Sequence, residues 1–399
     1  MHPTDGLRGT ESNKLQGRKI VLGITGSIAA VECFELAREL IRHGAEVHAV
    51  LSDSAQDVVT SWAMAFATGN DVIDVIDWRV QHVSLLGSVP DKADLLLIAP
   101  STANTISKIA CGIDDTPVTT MATTALGSGV PILIAPAMHL AMYHNPAVQK
   151  HVKTLKEIGV GFIGPRIEGG KAKVATIEEI VEAVIRRLGK NDLAGRQVLV
   201  IGGSSEESID EMRIITNRGS GETAVEIAKA AYERGADLKL WMGRATVPVP
   251  SFIATKRFST IADLFALANG LKGDIVIVPA ALSDFAPKPA EGKLPSETKD
   301  VVLNLCALPK VLDRLREGSK VLVGFKAESG VTEAVLLAKA SKRLKDAKLD
   351  LVVANDLRDV TSGRTKAFIV GAKKTRKVDG TKVELATALI DDIVDLKAR

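Results

Sequence analysis

The feature that most constrains the fold is an alternation of short apolar runs with amphipathic windows, which begins at Lys19 and continues through most of the chain. Runs such as IVLGIT, EVHAVL and DLLLIAP have the length of buried strands. Between them, apolar residues recur at helical spacing, as from Ile28 to Ile41. This alternation predicts an α/β fold whose parallel sheets are covered by helices on both faces. Ligands in such sheets bind at the carboxyl ends of the strands.

A polar break, LGKNDLAGRQ, interrupts the alternation, and VLVIGG then opens a new strand and loop much as IVLGITG does earlier. The runs LKLWMG, DIVIVPAA, KVLVGFKAE and LDLVVAND continue the pattern as further strands. With 399 residues the chain is too long for one ordinary core, because a domain usually holds roughly 100 to 200 residues. We therefore predict two doubly wound parallel-sheet domains, 18–190 and 191–399, after a disordered tail over residues 1–17.

Charge and cysteine usage exclude several classes of function. A net charge of +3 is small for this length, so nucleic acid and membrane surfaces are not expected partners. Cys33, Cys111 and Cys306 are widely spaced, which argues against a disulfide framework or a CxxC metal site and favours a reducing cytoplasm. The polar start has no apolar signal segment, and no apolar run reaches the ~20 residues of a spanning helix. We expect a cytoplasmic protein.

The turn Gly26-Ser27 lies between the first strand and its helix, where backbone N–H groups and the helix dipole favour a phosphate. It contains neither a complete G-x-G-x-x-G nor a Walker lysine, so a plain tight turn is the alternative. Three other segments extend the pattern: QHVSL, APSTANTISKIACGIDD and PAMHLAMYHNP. Together they resemble the flavoprotein family of phosphopantothenoylcysteine decarboxylases, over most of residues 18–190. The resemblance implies a flavodoxin-like first domain that binds FMN.

In that family FMN is held by the glycine-serine turn, by a Ser or Thr after the second strand and by a P-x-T-A-N-T loop. The residues of this chain that match those FMN contacts are Gly26, Ser27, Ser52, Ser101, Thr102, Ala103 and Asn104. Simple helix caps are the structural alternative for the Ser and Thr residues. His82 resembles the catalytic base of the family. The implied reaction oxidises the cysteine-derived part of the substrate at the carbon next to sulfur, and carbon dioxide then leaves.

Two segments depart from the common bacterial pattern. The family has P-x-M-N, whose Asn holds the substrate carboxylate, whereas this chain has Pro136-Ala137-Met138-His139, so Met138 and His139 are the expected substrate-binding residues. The flap of the family carries a proton-donating cysteine, whereas the matching stretch PRIEGGKAKVA has none. Glu168, Lys171 or Lys173 is a possible replacement, and a flap that only clamps the substrate is the alternative.

The second half resembles phosphopantothenate-cysteine ligase domains. Its IDEMRIITNRGSG matches the family's I-D-x-V-R-x-I-x-N-x-S-S-G, and AALSDF, LVGFKAES and LDLVVAND match three further motifs in order. The glycine-rich loop differs, with Gly202-Gly203-Ser204-Ser205 where bacterial members have A-G-P-T. Arg213 and Asn217 are the expected catalytic groups. A generic dinucleotide-binding fold is the alternative.

The resemblance implies that 4'-phosphopantothenate reacts with a nucleoside triphosphate, CTP in bacterial members, and that cysteine then displaces the nucleotide. Such a reaction needs Mg²⁺ around the phosphates, so Mg²⁺ is expected as a cofactor in addition to FMN. ATP is the alternative nucleotide, and the sequence does not assign the metal ligands. The resemblance also implies a homo-oligomer based on trimers, up to a dodecamer. The expected nucleotide-binding residues are Ala281, Asp284, Lys293, Pro309, Lys310, Val311, Leu312, Phe325, Lys339 and Arg343. For Lys339 and Arg343, solvated helix charge is the alternative.

Three other functions compete with this interpretation. A pyridine-nucleotide oxidoreductase fits two doubly wound halves. A prenyl-transferring or peptide-cysteine-decarboxylating flavoprotein fits the first half only. A non-catalytic binding protein is favoured by the missing flap cysteine.

Overall fold

The computed structural model describes residues 2–294 and 301–397, which divide into two compact units, Met1–Gly189 and Lys190–Arg399. The division falls one residue before the predicted boundary.

The first unit combines parallel strands with flanking helices, as the alternation predicts. Its strands are β1 Lys19–Ile24, β2 Glu46–Leu51, β3 Leu95–Ser101, β4 Ile132–Pro136, β5 Met138–His139, β6 Gly161–Phe162, β7 Arg166–Glu168 and β8 Lys171–Lys173. Its α-helices are α1 Cys33–Arg42, α2 Asp53–Gln56, α3 Ser61–Thr68, α4 Gln81–Leu86, α5 Ala103–Cys111, α6 Pro117–Ser128, α7 Leu140–Tyr143, α8 Pro146–Glu157 and α9 Ile177–Leu188. Pro3–Gly6 and Ile28–Glu32 form 3₁₀ helices.

The main sheet of this unit has the order β2-β1-β3-β4-β6, and all of its strand pairs are parallel. Alternate residues of β3 enter different cores, with Leu95 and Leu97 on one face and Leu96 and Ile98 on the other. Helices therefore cover both faces, which confirms the doubly wound prediction. The chain reverses its direction across the sheet between β1 and β3, so the carboxyl ends of these two strands form the switch point where ligands bind.

Two sequence predictions for this unit are wrong in detail. Residues 2–17 are not a disordered tail, because Leu15 is fully buried and the N–H groups of Gly9 and Leu15 donate to carbonyls of Ile41 and His43. The first helix also begins later than its apolar spacing indicates. Ile28 is 78% exposed and lies in a 3₁₀ helix, so the start of the apolar stripe does not face the core.

The second unit has a larger central sheet and fewer helices. Its strands are β9 Gln197–Gly202, β10 Glu206–Ser208, β11 Ile214–Thr216, β12 Asp237–Met242, β13 Thr255–Arg257, β14 Gly273–Val278, β15 Phe285–Pro287, β16 Leu305–Ala307, β17 Ser319–Glu328, β18 Leu351–Asp356, β19 Arg364–Gly371 and β20 Thr375–Thr381. Its α-helices are α10 Glu222–Glu233, α11 Ile261–Ala268, α12 Val311–Gly318, α13 Glu333–Asp346 and α14 Lys382–Lys397, and Leu357–Asp359 is a 3₁₀ helix.

The central sheet of this unit has the order β13-β12-β9-β14-β17-β18-β19-β20. The pairs from β13 to β18 are parallel, whereas β18-β19 and β19-β20 are antiparallel. The prediction of a parallel sheet therefore holds for the six strands from β13 to β18. The antiparallel hairpin β19-β20 forms the other edge of the sheet. Val198 and Val200 of β9 face one core while Leu199 and Ile201 face the other, so this sheet is also covered on both faces. Its switch point lies between β9 and β14.

Three small sheets project from these scaffolds. The β5-β8-β7 sheet belongs to the first unit, and the β10-β11 and β15-β16 hairpins belong to the second. Within the part of the chain that the structure describes, no helix has the length and apolar character needed to cross a membrane.

Candidate active sites

The predicted phosphate and ribityl residues of the first unit meet at its switch point. Gly26 and Ser27 follow β1, and Thr102 follows β3. Thr25, which the sequence analysis did not select, joins the two loops: its Oγ1 donates to the Pro100 carbonyl at 2.8 Å and accepts the Thr102 N–H at 3.1 Å. The two loops are therefore held in fixed positions relative to each other.

The loop after β2 approaches the same place. A Cβ atom on Gly26 would lie 2.4 Å from Cβ of Ser54, so only glycine allows this approach. Ser52, at the N-terminus of α2, is buried but makes no side-chain capping bond, so the cap alternative does not hold for it. The cap alternative does describe Ser27, which accepts the Ala29 N–H, and Thr102, which accepts the Thr105 N–H.

Two predicted site residues of this unit have a buried polar atom with no hydrogen-bond partner among the described residues: Oγ of Ser101 and Nδ1 of His82. Buried polar atoms are nearly always satisfied in native proteins. Ser101 is fully buried at the end of β3, and His82 lies half-buried on α4. Ala103 is buried and Asn104 is exposed at the start of α5. The switch point thus offers small residues and the unsatisfied hydroxyl of Ser101, which is the chemistry that a flavin phosphate and ribityl chain require.

The two departures from the family pattern lie on adjacent strands. In the antiparallel pair β5-β8, Met138 is opposite Ala172 and His139 is opposite Lys171. Paired residues of such a ladder share one face, so His139 and Lys171 lie on the face away from buried Ala172. The segment that resembles the flap is therefore a hairpin, β7-β8, attached to the predicted substrate-binding strand.

Glu168 of this hairpin accepts from Nζ of Lys173 at 2.8 Å and from Nη1 of Arg166 at 3.1 Å. The hydrogen bond from Lys173, with the charges of both cations, lowers the pKa of Glu168 below its ordinary value. Glu168 is thus held as a carboxylate. It is the least suitable of the three flap residues to supply a proton.

The second unit has a cavity of about 620 Å³ at its switch point. The cavity is bounded by loops that follow β9 and β14 and by the ends of β17 and β18. Of the predicted nucleotide-binding and catalytic residues, the cavity is lined by Asn217, Ala281, Asp284, Pro309, Lys310, Val311, Leu312, Phe325 and Arg343. Five basic side chains and two acidic ones line it, so its field favours an anionic ligand.

The cavity wall is made rigid by hydrogen bonds between the motifs. Nδ2 of Asn217 donates to the Ala281 carbonyl at 3.1 Å. Oγ of Ser205 accepts the Ser283 N–H at 2.9 Å, which ties the glycine-rich loop to AALSDF. Gly203 has φ +74°, and a Cβ there would lie 2.6 Å from the Arg244 carbonyl oxygen, so this loop requires glycine. Lys310 forms an ion pair with Asp284.

Three predicted residues do not line this cavity: Arg213, Lys293 and Lys339. Arg213 is exposed and donates to Oδ2 of Asp210 and to the Leu294 carbonyl. Lys339 is exposed and donates to Oε2 of Glu328 at 2.8 Å, which matches the alternative of solvated helix charge. Lys293 is also exposed. The roles proposed for these three residues stay predictions.

Asp210, which the ligase motif includes, is an anchor for the neighbouring loop. Its side chain is fully buried and accepts the N–H groups of Met212, Arg213 and Leu294. These bonds, of which the one from Leu294 contributes most, lower the pKa of Asp210 to about 2. Asp210 therefore joins the Arg213 turn to the segment that contains Lys293.

Asp356, the last residue of LDLVVAND, has a similar structural role. Its carboxylate accepts from the guanidinium and N–H of Arg358 and from the N–H groups of Gly330 and Val331. These hydrogen bonds, first the one from the Arg358 side chain, hold the pKa of Asp356 well below its ordinary value. Asp356 thereby joins the loop after β17 to the end of β18, next to the cavity residue Asn355.

Asp356→Asn is expected to lower the melting temperature by several degrees at pH 7, because the amide replaces a charged acceptor. A carboxylate whose pKa is lower in the folded state stabilises fully above its unfolded value of about 3.9 and loses that stabilisation as the pH falls further. The difference between variant and wild type should therefore shrink below about pH 4. Thermal melts from pH 3 to pH 8, with exposed Asp359→Asn as control, test this. A difference independent of pH contradicts it.

Comparisons with known proteins cover both units. The Flavoprotein family matches residues 8–189, and the DNA/pantothenate metabolism flavoprotein C-terminal domain matches residues 193–396. The coenzyme A biosynthesis bifunctional protein of Thermococcus kodakarensis is 49% identical over 402 aligned positions, which cover 98% of this chain and 99% of that protein. The protein of the same name from Methanocaldococcus jannaschii is 38% identical, with 99% of this chain and 98% of that one covered.

A solved structure of the DNA/pantothenate metabolism flavoprotein from Streptococcus pneumoniae is 26% identical and has a TM-score of 0.47, covering 50% of this chain and 98% of that one. The two family matches fall on the two compact units in the same order, and the relatives match over nearly their whole length. This chain therefore belongs to the family of coenzyme A biosynthesis bifunctional proteins, with a flavoprotein unit followed by a ligase unit.

Proposed function

We propose that this bifunctional enzyme of coenzyme A biosynthesis joins 4'-phosphopantothenate to cysteine with CTP and then decarboxylates the product to 4'-phosphopantetheine. The observation that carries the proposal is the position of the motif residues: the predicted FMN-binding residues follow or end β1, β2 and β3 at the switch point of the first unit, and most of the predicted ligase residues line the cavity at the switch point of the second. A pyridine-nucleotide oxidoreductase does not account for the second family match.

In the first unit, FMN would be held by the turn Gly26-Ser27 at its phosphate and by Ser101 and Thr102 along its ribityl chain. The unsatisfied Oγ of Ser101 and the close approach at Gly26 support this assignment. When bound, the flavin supplies the two-electron redox chemistry that makes loss of carbon dioxide possible.

The protein's own contribution to this half-reaction is proton transfer and positioning. His82 would accept a proton from the substrate through a ring nitrogen, and its Nδ1 has no partner among the described residues. His139 would donate to the substrate carboxylate in place of the family's Asn. Lys171 lies opposite His139 in the β5-β8 register and is a better proton donor than Glu168, which is held ionised.

The purified protein is expected to be yellow and to release FMN on denaturation, because the switch point has no cysteine motif for a covalent link. Ser101→Ala should weaken FMN binding about tenfold, the usual contribution of one hydrogen bond to a ligand group. Fluorescence quenching during reconstitution of the apoprotein measures this. Thr124→Ala is the control, because that hydroxyl bonds only within its helix. A colourless protein that does not take up FMN contradicts the decarboxylase assignment.

In the second unit, the carboxylate of 4'-phosphopantothenate would attack the α-phosphorus of CTP, forming an acyl-cytidylate while pyrophosphate leaves. The amine of cysteine then attacks the acyl carbonyl, and cytidine monophosphate leaves. The basic side chains of the cavity would balance the phosphate charge. Mg²⁺ would bind mainly through the substrate phosphates, as is usual for this ion.

We further propose that the protein resides in the cytoplasm and assembles into a homo-oligomer based on trimers. The three cysteines form no disulfide, and Cys33 is buried in the core that covers one face of the first sheet. Burial raises the pKa of the Cys33 thiol far above its ordinary value, so it is unreactive. Sedimentation of the full chain measures the oligomeric state, and a monomer contradicts the proposed assembly.

A further inference from the structure

Lys382, the first residue of α14, is a buried cation in the wall of the ligase cavity. It is 5% exposed, and its ammonium forms an ion pair with Glu222, the first residue of α10. Glu222 also accepts the Gly363 N–H at 3.0 Å, and the Lys382 N–H donates to the Gly363 carbonyl at 2.9 Å. Both charged side chains line the cavity. Neither residue stands in one of the family motifs.

The wall that holds this pair is suited to a phosphate. Residues 219–224, which include the first turn of α10, line the cavity, and the N-cap position Gly221 has no side chain, although Oγ of Ser220 accepts the Glu222 N–H at 3.3 Å. Helix N-termini attract anions. Oγ of Ser204, in the loop after β9, is fully buried and has no partner among the described residues. A Cβ on Gly219 would lie 2.7 Å from that oxygen, so the unsatisfied hydroxyl lies against the cavity-lining segment that leads into this turn.

Glu222 is unfavourable for an anion at this position, because its carboxylate belongs to the turn that would receive the phosphate. A unit charge beside a phosphate in a partly buried site changes affinity by roughly one to two orders of magnitude. Lys382 carries the compensating charge, and its burial fixes the ammonium against the carboxylate.

We propose that Lys382 is a positioning residue that neutralises Glu222 and so keeps the first turn of α10 available to a phosphate of the ligase substrates. The inference rests on the proposed ligase function. The phosphate belongs either to the triphosphate of the nucleotide or to the phosphomonoester of 4'-phosphopantothenate. The two sources share the same chemistry, and separate titrations distinguish them.

The experiment is isothermal titration calorimetry of the full-length protein with Mg²⁺-CTP and, separately, with 4'-phosphopantothenate. Lys382→Met is expected to weaken binding of one of these ligands by about 10- to 100-fold, because Glu222 is left uncompensated. The double variant Lys382→Met with Glu222→Gln should bind within about threefold of wild type, since the repulsive charge is gone. A purely structural role does not produce this rescue.

The matched control is Asp391→Asn. Asp391 of α14 pairs with Arg234 at the end of α10, at 2.6 Å, so this change removes an ion pair between the same two helices away from the cavity. It is expected to lower the melting temperature without changing either affinity. If Lys382→Met does not fold, Glu222→Gln alone is compared with wild type and should bind at least as tightly.

Three results overturn the inference. Equal affinities in wild type and Lys382→Met overturn it and leave the ligase function intact. A loss that the Glu222→Gln change does not repair shows that Lys382 contacts the ligand directly. Weaker binding by Glu222→Gln alone also contradicts it. If the wild type binds neither ligand, the proposed ligase function fails, and this inference fails with it.

Discussion

His82→Asn is expected to lower carbon dioxide release by about 10²- to 10⁴-fold, the usual contribution of a general base, while ligase turnover stays near wild type. Asparagine keeps a similar size but cannot accept and return a proton at neutral pH. The ligase should be unaffected, because the two sites lie in compact units with separate cores, and substitutions that share no contacts usually behave additively.

The measurement follows carbon dioxide and pyrophosphate separately for the same variant. His151→Asn is a matched control, because Nδ1 of His151 is also buried without a partner among the described residues. That control should keep both activities. An equal loss of ligase activity in His82→Asn would mean that the role of His82 or the division between the units is wrong.

Asn217→Asp is expected to activate 4'-phosphopantothenate but to form the amide about 10²- to 10³-fold more slowly. Nδ2 of Asn217 has two N–H donors, and one of them is directed to the Ala281 carbonyl. The second can hold the acyl oxygen while the cysteine amine attacks. Aspartate replaces these donors with a negative charge. The activation step should lose less, because its charge is balanced mainly by Mg²⁺ and basic side chains.

A single-turnover assay with labelled 4'-phosphopantothenate should detect accumulated acyl-cytidylate in this variant. Asn269→Asp is the control, since its side-chain oxygen only accepts from Arg314 and an aspartate keeps that acceptor. A folded Asn217→Asp protein that forms amide at the normal rate contradicts the role. One that never activates the substrate assigns Asn217 to nucleotide binding.

The parallel sheets of the two units could be predicted because their central strands are continuous apolar runs that have the length of a buried strand. DLLLIAP and LDLVVAND lie in β3 and β18 as expected. The antiparallel hairpin β19-β20 was missed, because its edge strand, TRKVDGT, has a single apolar residue among charged and small ones and so lacks an apolar run. The order of residues 2–17 was missed because only two buried residues, Thr4 and Leu15, and backbone bonds to the end of α1 hold that segment.

The position of candidate site residues was predictable where they closely follow a strand end, as Gly26 follows β1 and Thr102 follows β3. Site residues were not predictable where they contact each other from segments that are far apart in the sequence. Glu222 and Lys382 are 160 residues apart, and neither stands in a recognisable pattern. Thr25 is adjacent to the predicted turn, but only the structure reveals that its hydroxyl joins two loops.

The most direct test of the account is incubation of the purified, FMN-loaded protein with 4'-phosphopantothenate, cysteine, Mg²⁺ and either CTP or ATP, with carbon dioxide and pyrophosphate followed separately. We expect pyrophosphate only when a nucleotide and 4'-phosphopantothenate are both present, with CTP the better nucleotide. Carbon dioxide should follow only when cysteine is added. Carbon dioxide release without any nucleotide, or pyrophosphate release with no later carbon dioxide, contradicts the assignment of two consecutive reactions to this chain.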